Sequence, residues 1–287
     1  MTSISVPIAL KIYKHGLNRL LDPNWTGLDL FYLLKKPVRE QELLLITRKE
    51  GLLFYLGLWF YKEYILNEGD GASGPILILK GEYLAWYLED LLEMLTYHKS
   101  HDTNAAVKEH RVFADNLFKQ DEECYLYFVE SRKGRRDLEK RISKLRYEFS
   151  DLLRSLAALY ADDYAQRIFH DRELCGYVSE LVIRIGYPGV HDETGNPWQW
   201  VERRSIPEWA KRAVCARDRG LCAECGANIG SELEAPPSID HIMPLAIGGS
   251  NDLANLQLLC QSCNLKKCKD IWPVRSSIPK YLQRNTP

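Results

Sequence analysis

Apolar positions recur through the first two thirds of the chain at the three- and four-residue spacing of helix faces. Leu84, Leu88, Leu91 and Leu95 form one such stripe, and residues 39 to 66 are densely apolar, so both regions are read as core helices. The longest stripe runs from about Arg135 to Tyr164, where Leu138, Ile142, Leu145, Phe149, Leu152, Leu156 and Leu159 alternate spacings of four and three. This is a heptad seam of about three heptads. It suits a helix packed on its own domain, the favoured reading at that length, and it also suits self-association or pairing with a partner protein through residues 135–164. Two short runs, Ile76 to Leu79 and Tyr125 to Val129, are rich in β-forming residues, but periodicity alone does not separate strand from buried helix end at that length.

Polar positions add detail to the long stripe. Arg132, Lys133, Arg135, Arg136, Lys140, Arg141, Lys144 and Arg146 stand at its start, with Asp137, Glu139 and Glu148 among them. Such a run reads either as a phosphate-contacting stripe or as a solvated face whose acids pair locally at i,i+4. His98, His101 and His110, with Asp102 nearby, form a looser cluster that reads as ordinary surface histidines in preference to a second metal site.

Breakers gather between Gly186 and Pro207, where Pro188, Gly189, Gly195 and Pro197 interrupt any long element, and Trp198 and Trp200 suggest a packed connector. The expected organisation is a mostly helical domain over residues 1–185 for recognition, regulation or partner binding, a linker over 186–206, and a second domain over 207–287. A chain of 287 residues has room for both. With 46% hydrophobic and 27% charged residues the composition is that of a globular protein, which excludes a disordered or collagenous chain. The longest uncharged apolar run, residues 52–61, falls well short of the ~20 residues needed to span a membrane. The N-terminus lacks the ordered basic, apolar and small-residue segments of a secretory signal. A soluble, cytoplasmic protein is the expectation.

Charge and cysteine usage separate the two ends of the chain. Residues 1–200 carry a net charge of −4 and residues 201–287 a net charge of +3, so attraction to nucleic acid has to come from local basic surface. Six of the eight cysteines lie beyond residue 200. Cys222-x2-Cys225 and Cys260-x2-Cys263 are separated by 34 residues, and two such knuckles supply the four thiolates of a closed, structural zinc site. A module of this size buries little apolar surface, so metal ligation contributes much of its folding free energy. Cys215 and Cys268 are left over as packed or free thiols.

The interval between the knuckles carries a denser signature. Asp240-His241-Ile242 with Pro244, then Gly248-Gly249, Asn255-Leu256, Cys260-x2-Cys263-Asn264 and Lys266, resembles the HNH endonuclease family, also called ββα-metal or His-Me finger nucleases. The resemblance covers about residues 207 to 271. It says nothing about the rest of the chain; with the helix-period stripes of the N-terminal part it gives an expected α+β fold class, a mostly helical N-terminal domain followed by a zinc-braced ββα-metal domain. In such a domain a β-hairpin carries the Asp-His pair and the following helix carries the last Asn.

The resemblance also implies roles. His241 activates the attacking water, Asp240 and Asn264 hold a catalytic divalent ion, and Asn255 steadies the loop that carries the histidine. The chemistry agrees: Asp240 and Asn264 offer hard oxygen ligands suited to Mg2+, and a neutral imidazole can accept a proton from water near neutral pH. Where many members have a final histidine this chain has Asn264, which still offers an oxygen. Lys266, Lys267 and Lys269 read either as nucleic-acid contacts to backbone phosphates or as a solvated basic tail, and Arg212, Arg217 and Arg219 as weaker candidates of the same kind. The expected function is divalent-metal-dependent hydrolysis of DNA phosphodiester bonds, in the setting of a restriction or antiphage effector. The competing reading is a zinc-stabilised nucleic-acid-binding or scaffold protein without cleavage.

Overall fold

The computed structural model describes residues 5–21, 51–66, 81–98, 105–119, 122–185, 203–229 and 237–275. The predicted linker falls outside the described residues except for its last four, 203–206. Trp198, Trp200, the Ile76 to Leu79 run, His101 and Asp102 also fall outside them. In chain order the elements are α1 Val6–Leu21, α2 Leu52–Tyr61, α3 Gly81–His98, α4 Ala105–Lys119, α5 Glu122–Glu130, α6 Arg132–Glu148, α7 Ser150–Phe169, α8 Arg172–Ile185 and α9 Glu208–Arg217. The strands β1 Ser238–His241 and β2 Leu256–Leu259 and the short helix α10 Gln261–Lys267 follow. The fold is thus mostly helical with one small two-stranded sheet near the C-terminus, an α+β arrangement. No helix among the described residues is long and apolar enough to cross a membrane.

The described residues group into two compact units. One draws on Met1–Arg19 and Gly57–Asp163, the other on Leu20–Leu56 and Tyr164–Pro287. The core of the first is helical. The Leu84, Leu88, Leu91 and Leu95 stripe of α3 is at most 1% exposed, and each leucine buried in this way contributes roughly 1.5–3 kcal/mol. After α2 the chain makes a π-helical turn, Lys62–Leu66, which buries Glu63, Ile65 and Leu66. Tyr61 stacks on Tyr160 with ring centroids 5.4 Å apart and donates its hydroxyl to Leu153 O at 2.6 Å, so its polar end is satisfied inside the core.

The heptad seam is used within this unit. It is not one helix: Phe149 leaves helical geometry (φ −109°, ψ 19°), separating α6 from α7. Its side chains nonetheless stay on one face. Leu138, Ile142 and Leu145 are fully buried, Phe149 and Leu156 nearly so, and Leu152 and Leu159 pack partly against the same core. Contact with the chain's own core occupies the surface that the sequence offered for self-pairing. The ambiguous Tyr125 to Val129 run is helical, within α5. Ser131 follows it and caps α6, its hydroxyl accepting from Gly134 N at 2.9 Å.

In the second unit α8 buries Cys175, Val178, Leu181 and Val182 and packs against a 3-10 turn, Leu253–Asn255, that leads into β2. It approaches residues 271–275 so closely that a Cβ on Gly176 would lie 2.5 Å from Val274 Cγ2. Arg172, at the start of α8, donates twice to Arg275 O, at 2.8 and 2.6 Å.

Candidate active site

The sheet places the Asp-His pair. β1 and β2 run antiparallel with Asp240 opposite Gln257 and His241 opposite Leu256, and β2 is buried along its whole length. A strand so placed needs partners on its far edge as well. Ala223 N donates to Leu258 O at 2.7 Å, Asp218 Oδ2 accepts from Leu258 N at 2.9 Å, and Arg217 Nη2 donates to Leu256 O at 2.6 Å. Arg217 also makes a two-point pair with Asp218 (2.9 and 3.0 Å) and lies over the Phe169 ring. It is only 3% exposed, so this arginine, a weaker phosphate candidate in the sequence, braces β2 instead.

The two knuckles close on each other. The Sγ atoms of Cys222, Cys225, Cys260 and Cys263 all lie within 4.8 Å of one another, and Cys225 and Cys260 are 3.8 Å apart. A tetrahedral site with Zn–S of about 2.3 Å has S–S edges of roughly 3.8 Å, so the donor set and its spacing fit zinc. All four thiols are free of disulfide bonds. Cys260 occupies the position just before α10 and Cys263 lies within its first turn, so metal bound there would fasten α10 to the end of β2.

Asp240 and His241, neighbours on a strand, point to different partners. The Asp240 carboxylate faces α10: Lys267 Nζ lies 2.9 Å from its Oδ2, and Gln257 Nε2 donates to the same oxygen at 3.3 Å. Asn264, one helical turn before Lys267, donates from Nδ2 to Ser238 Oγ at 2.6 Å. An i,i+3 pair on the helix thus meets an i,i+2 pair on the strand. With Oδ2 engaged, Asp240 has Oδ1 to offer a cation, and Asn264 has its amide oxygen. One carboxylate and one amide oxygen suit Mg2+, which keeps several waters and takes further oxygens from a phosphate.

His241 faces the loop instead. Its Nε2 lies 3.3 Å from Asn251 Oδ1, and that same oxygen receives Arg204 N at 3.4 Å. A backbone N–H only donates, so the atom it meets is the amide oxygen, and His241 Nε2 must donate to it as well. The ring proton is therefore on Nε2, and Nδ1 carries the free lone pair. Burial, then the positive charge of Arg203, pushes the imidazole down to about 4, so the ring is neutral at physiological pH.

Asn255, 0% exposed, holds the loop. Its Oδ1 accepts from Met243 N at 2.7 Å, and its Nδ2 donates to Met243 O at 2.9 Å and to Ser250 O at 2.8 Å. The turn needs its glycines: Gly248 sits at φ 93°, and a Cβ on Gly249 would fall 2.0 Å from Met243 O. Asp252 caps two segments at once, its Oδ1 accepting from Ala254 N at 2.8 Å and its Oδ2 from Leu52 N, the first residue of α2, at 3.0 Å.

The three lysines after Asn264 part company. Lys266 and Lys269 are exposed, as are Arg212 and Arg219, whereas Lys267 is 1% exposed and also donates to His241 O at 2.8 Å. As a helical residue three positions after Asn264 it turns inward with that side chain, so the phosphate contact read for it in the sequence is corrected to an internal role. Asn251, Gln257 and Arg203 carried no motif signal. Only Gln257 could have been found beforehand, from its register opposite Asp240 once the hairpin was assumed.

Residues 222–270 match the family model described as HNH endonuclease. Domains of that family are in general nucleases. No curated protein and no solved structure matches the chain.

Proposed function

We infer that the chain is a divalent-metal-dependent endonuclease that hydrolyses DNA phosphodiester bonds at Asp240, His241 and Asn264. The observation that carries this reading is the commitment of His241 Nε2 to Asn251, which leaves Nδ1 as a base at the end of β1, next to the loop that Asn255 holds, inside the stretch matched to HNH endonucleases. Asp240 Oδ1 and the Asn264 amide oxygen would hold the catalytic divalent ion, Mg2+ being the best match to these donors. When bound, such an ion neutralises charge developing on the phosphate and the leaving oxygen.

His241 Nδ1 takes a proton from water as the water oxygen bonds to phosphorus. The opposite P–O bond breaks with its electron pair on the leaving oxygen, which solvent protonates. Lys267 fixes the Asp240 carboxylate and the His241 carbonyl together, so the two neighbours keep their separation during the reaction. Lys266 and Lys269, both exposed on or just beyond α10, supply cations for backbone phosphates. The four cysteines hold a structural zinc that takes no part in the chemistry.

The setting put forward is restriction or antiphage defence, on the pairing of a cleavage module with a separate helical unit. Cells expressing the chain should then resist phage infection in a plating assay only when His241 is intact. For the activity itself, supercoiled plasmid incubated with zinc-loaded protein should be nicked or linearised when Mg2+ is added, and Asp240→Asn should abolish the reaction. DNA binding without cutting would leave a zinc-braced binding module in its place.

A further inference from the structure

Helix α6 presents a basic face to solvent. At about 100° per residue, Arg132, Lys133, Arg136, Lys140 and Lys144 fall within an arc of roughly 120°, and along the axis they span about 18 Å. All five are exposed. Tyr147, 87% exposed, extends the same arc at its C-terminal end. The opposite side of α6 is the buried Leu138, Ile142 and Leu145 row, which fixes the direction in which the cations point.

The one printed ion pair of the helix does not involve this face. Asp137 pairs with Arg141 at 3.0 Å, and Arg141 turns inward over the Phe113 ring and against His110 Nδ1. Glu139 and Glu148 lie outside the arc by helical position. Among the described residues none of the five cations forms an ion pair. Arg132, Arg136, Lys140 and Lys144 follow one another at i,i+4, a like-charge row that weakens an isolated helix. A row that disfavours its own helix and whose cations form no ion pair among the described residues is complementary to a polyanion.

We propose that this face of α6 is a binding site for the phosphate backbone of duplex DNA. Its length matches about five phosphate steps of one strand at 3.4 Å of axial rise each. The choice of DNA over other polyanions rests on the proposed nuclease function; the contact itself depends only on the arrangement of the five cations. It assigns to the helical unit a substrate-holding role that is independent of base sequence.

The experiment uses the full zinc-loaded chain without added Mg2+, so that cleavage does not interfere, and a fluorescent duplex of arbitrary sequence. Binding is followed by anisotropy over a series of salt concentrations. Each phosphate contact contributes ~0.9 to the slope of log K against log salt, so Arg136→Gln with Lys140→Gln should reduce that slope by ~1.8 and weaken binding at low salt. The control, Lys108→Gln with Lys119→Gln, makes the same change in net charge at two exposed positions of α4 and should leave the slope as it is. Equal losses in both variants, or none in the α6 variant, would overturn the proposal. Tighter binding of a matched RNA duplex or of anionic lipid vesicles through the same residues would overturn the choice of DNA. A wild-type chain that shows the α6-dependent slope yet never cuts DNA would remove the nuclease reading and leave this site standing.

Discussion

Lys267 Nζ and Asp240 Oδ2 lie 2.9 Å apart with both side chains almost wholly buried, so a buried ion pair adjoins the strand that carries the proposed base. Breaking a buried pair from one side leaves an uncompensated charge, and Lys267→Met should cost about 3–5 kcal/mol of stability. Adding Asp240→Asn to that variant should restore much of the loss in urea unfolding while cleavage stays absent. If the double variant is as unstable as the single one, Lys267 acts through packing and not through Asp240.

Metal removal should undo the same region by another route. Metal analysis of the purified chain should give one zinc per chain, and Cys260→Ser should lose it. The hairpin and α10 would then lose their fastening and cleavage would stop, while most of the far-UV helical signal, which comes from α1 to α8, should remain. Full zinc content in Cys260→Ser would contradict the four-sulfur assignment.

Asp252 gives the chain a pH dependence of stability with a defined sign. Burial pushes its carboxyl up to about 6 despite the backbone N–H groups of Leu52, Leu253 and Ala254 that oppose the shift. Among the described residues the Cys175 thiol of α8 also faces it, and burial pushes that thiol up to about 12, so it is neutral here. A carboxyl raised in the folded state holds its proton where the unfolded chain has lost it. Its contribution is complete below the ordinary carboxylate range and is lost as pH rises through about 6. Urea midpoints of wild type and Asp252→Asn compared at pH 4.5 and 7 should therefore move in favour of the Asn variant at the higher pH. A constant difference would contradict the shift.

The Asn251 oxygen fixes which imidazole nitrogen is free. In protein labelled with 15N at histidine, the His241 ring should show its proton on Nε2. Asn251→Asp, which still accepts, should keep that tautomer, and Asn251→Leu should lose it together with kcat, at little change in KM. A wild-type ring protonated on Nδ1 would contradict the assigned base atom.

The sequence made legible what depends on spacing. The leucines of α3 recur at helix period and line the core. The four cysteines are separated as two knuckles must be, and their sulfurs come together. The helix break at Phe149 was hidden because no glycine or proline marks it and the apolar seam continues through it unchanged. Burial of Lys267 was hidden for a related reason. In the linear run Lys266, Lys267, Cys268, Lys269 the lysines look alike, and only the helix phase set by Asn264 separates the inward one. Arg217 looked like a surface cation because its partner Asp218 follows it immediately, and its other bonds, to Leu256 O and across Phe169, come from residues 39 and 48 positions away in the chain. Asn251 had no signal, since its role comes from a loop meeting residue 204.

The most direct measurement is the single-turnover rate at which zinc-loaded wild type and His241→Ala cut one defined duplex with Mg2+ present. General-base catalysis is worth about 10²–10⁴-fold, so the variant should be slower by at least ~10²-fold while its zinc content and DNA affinity remain those of wild type. Equal rates would show that His241 is not the base and that whatever cutting occurs is done elsewhere.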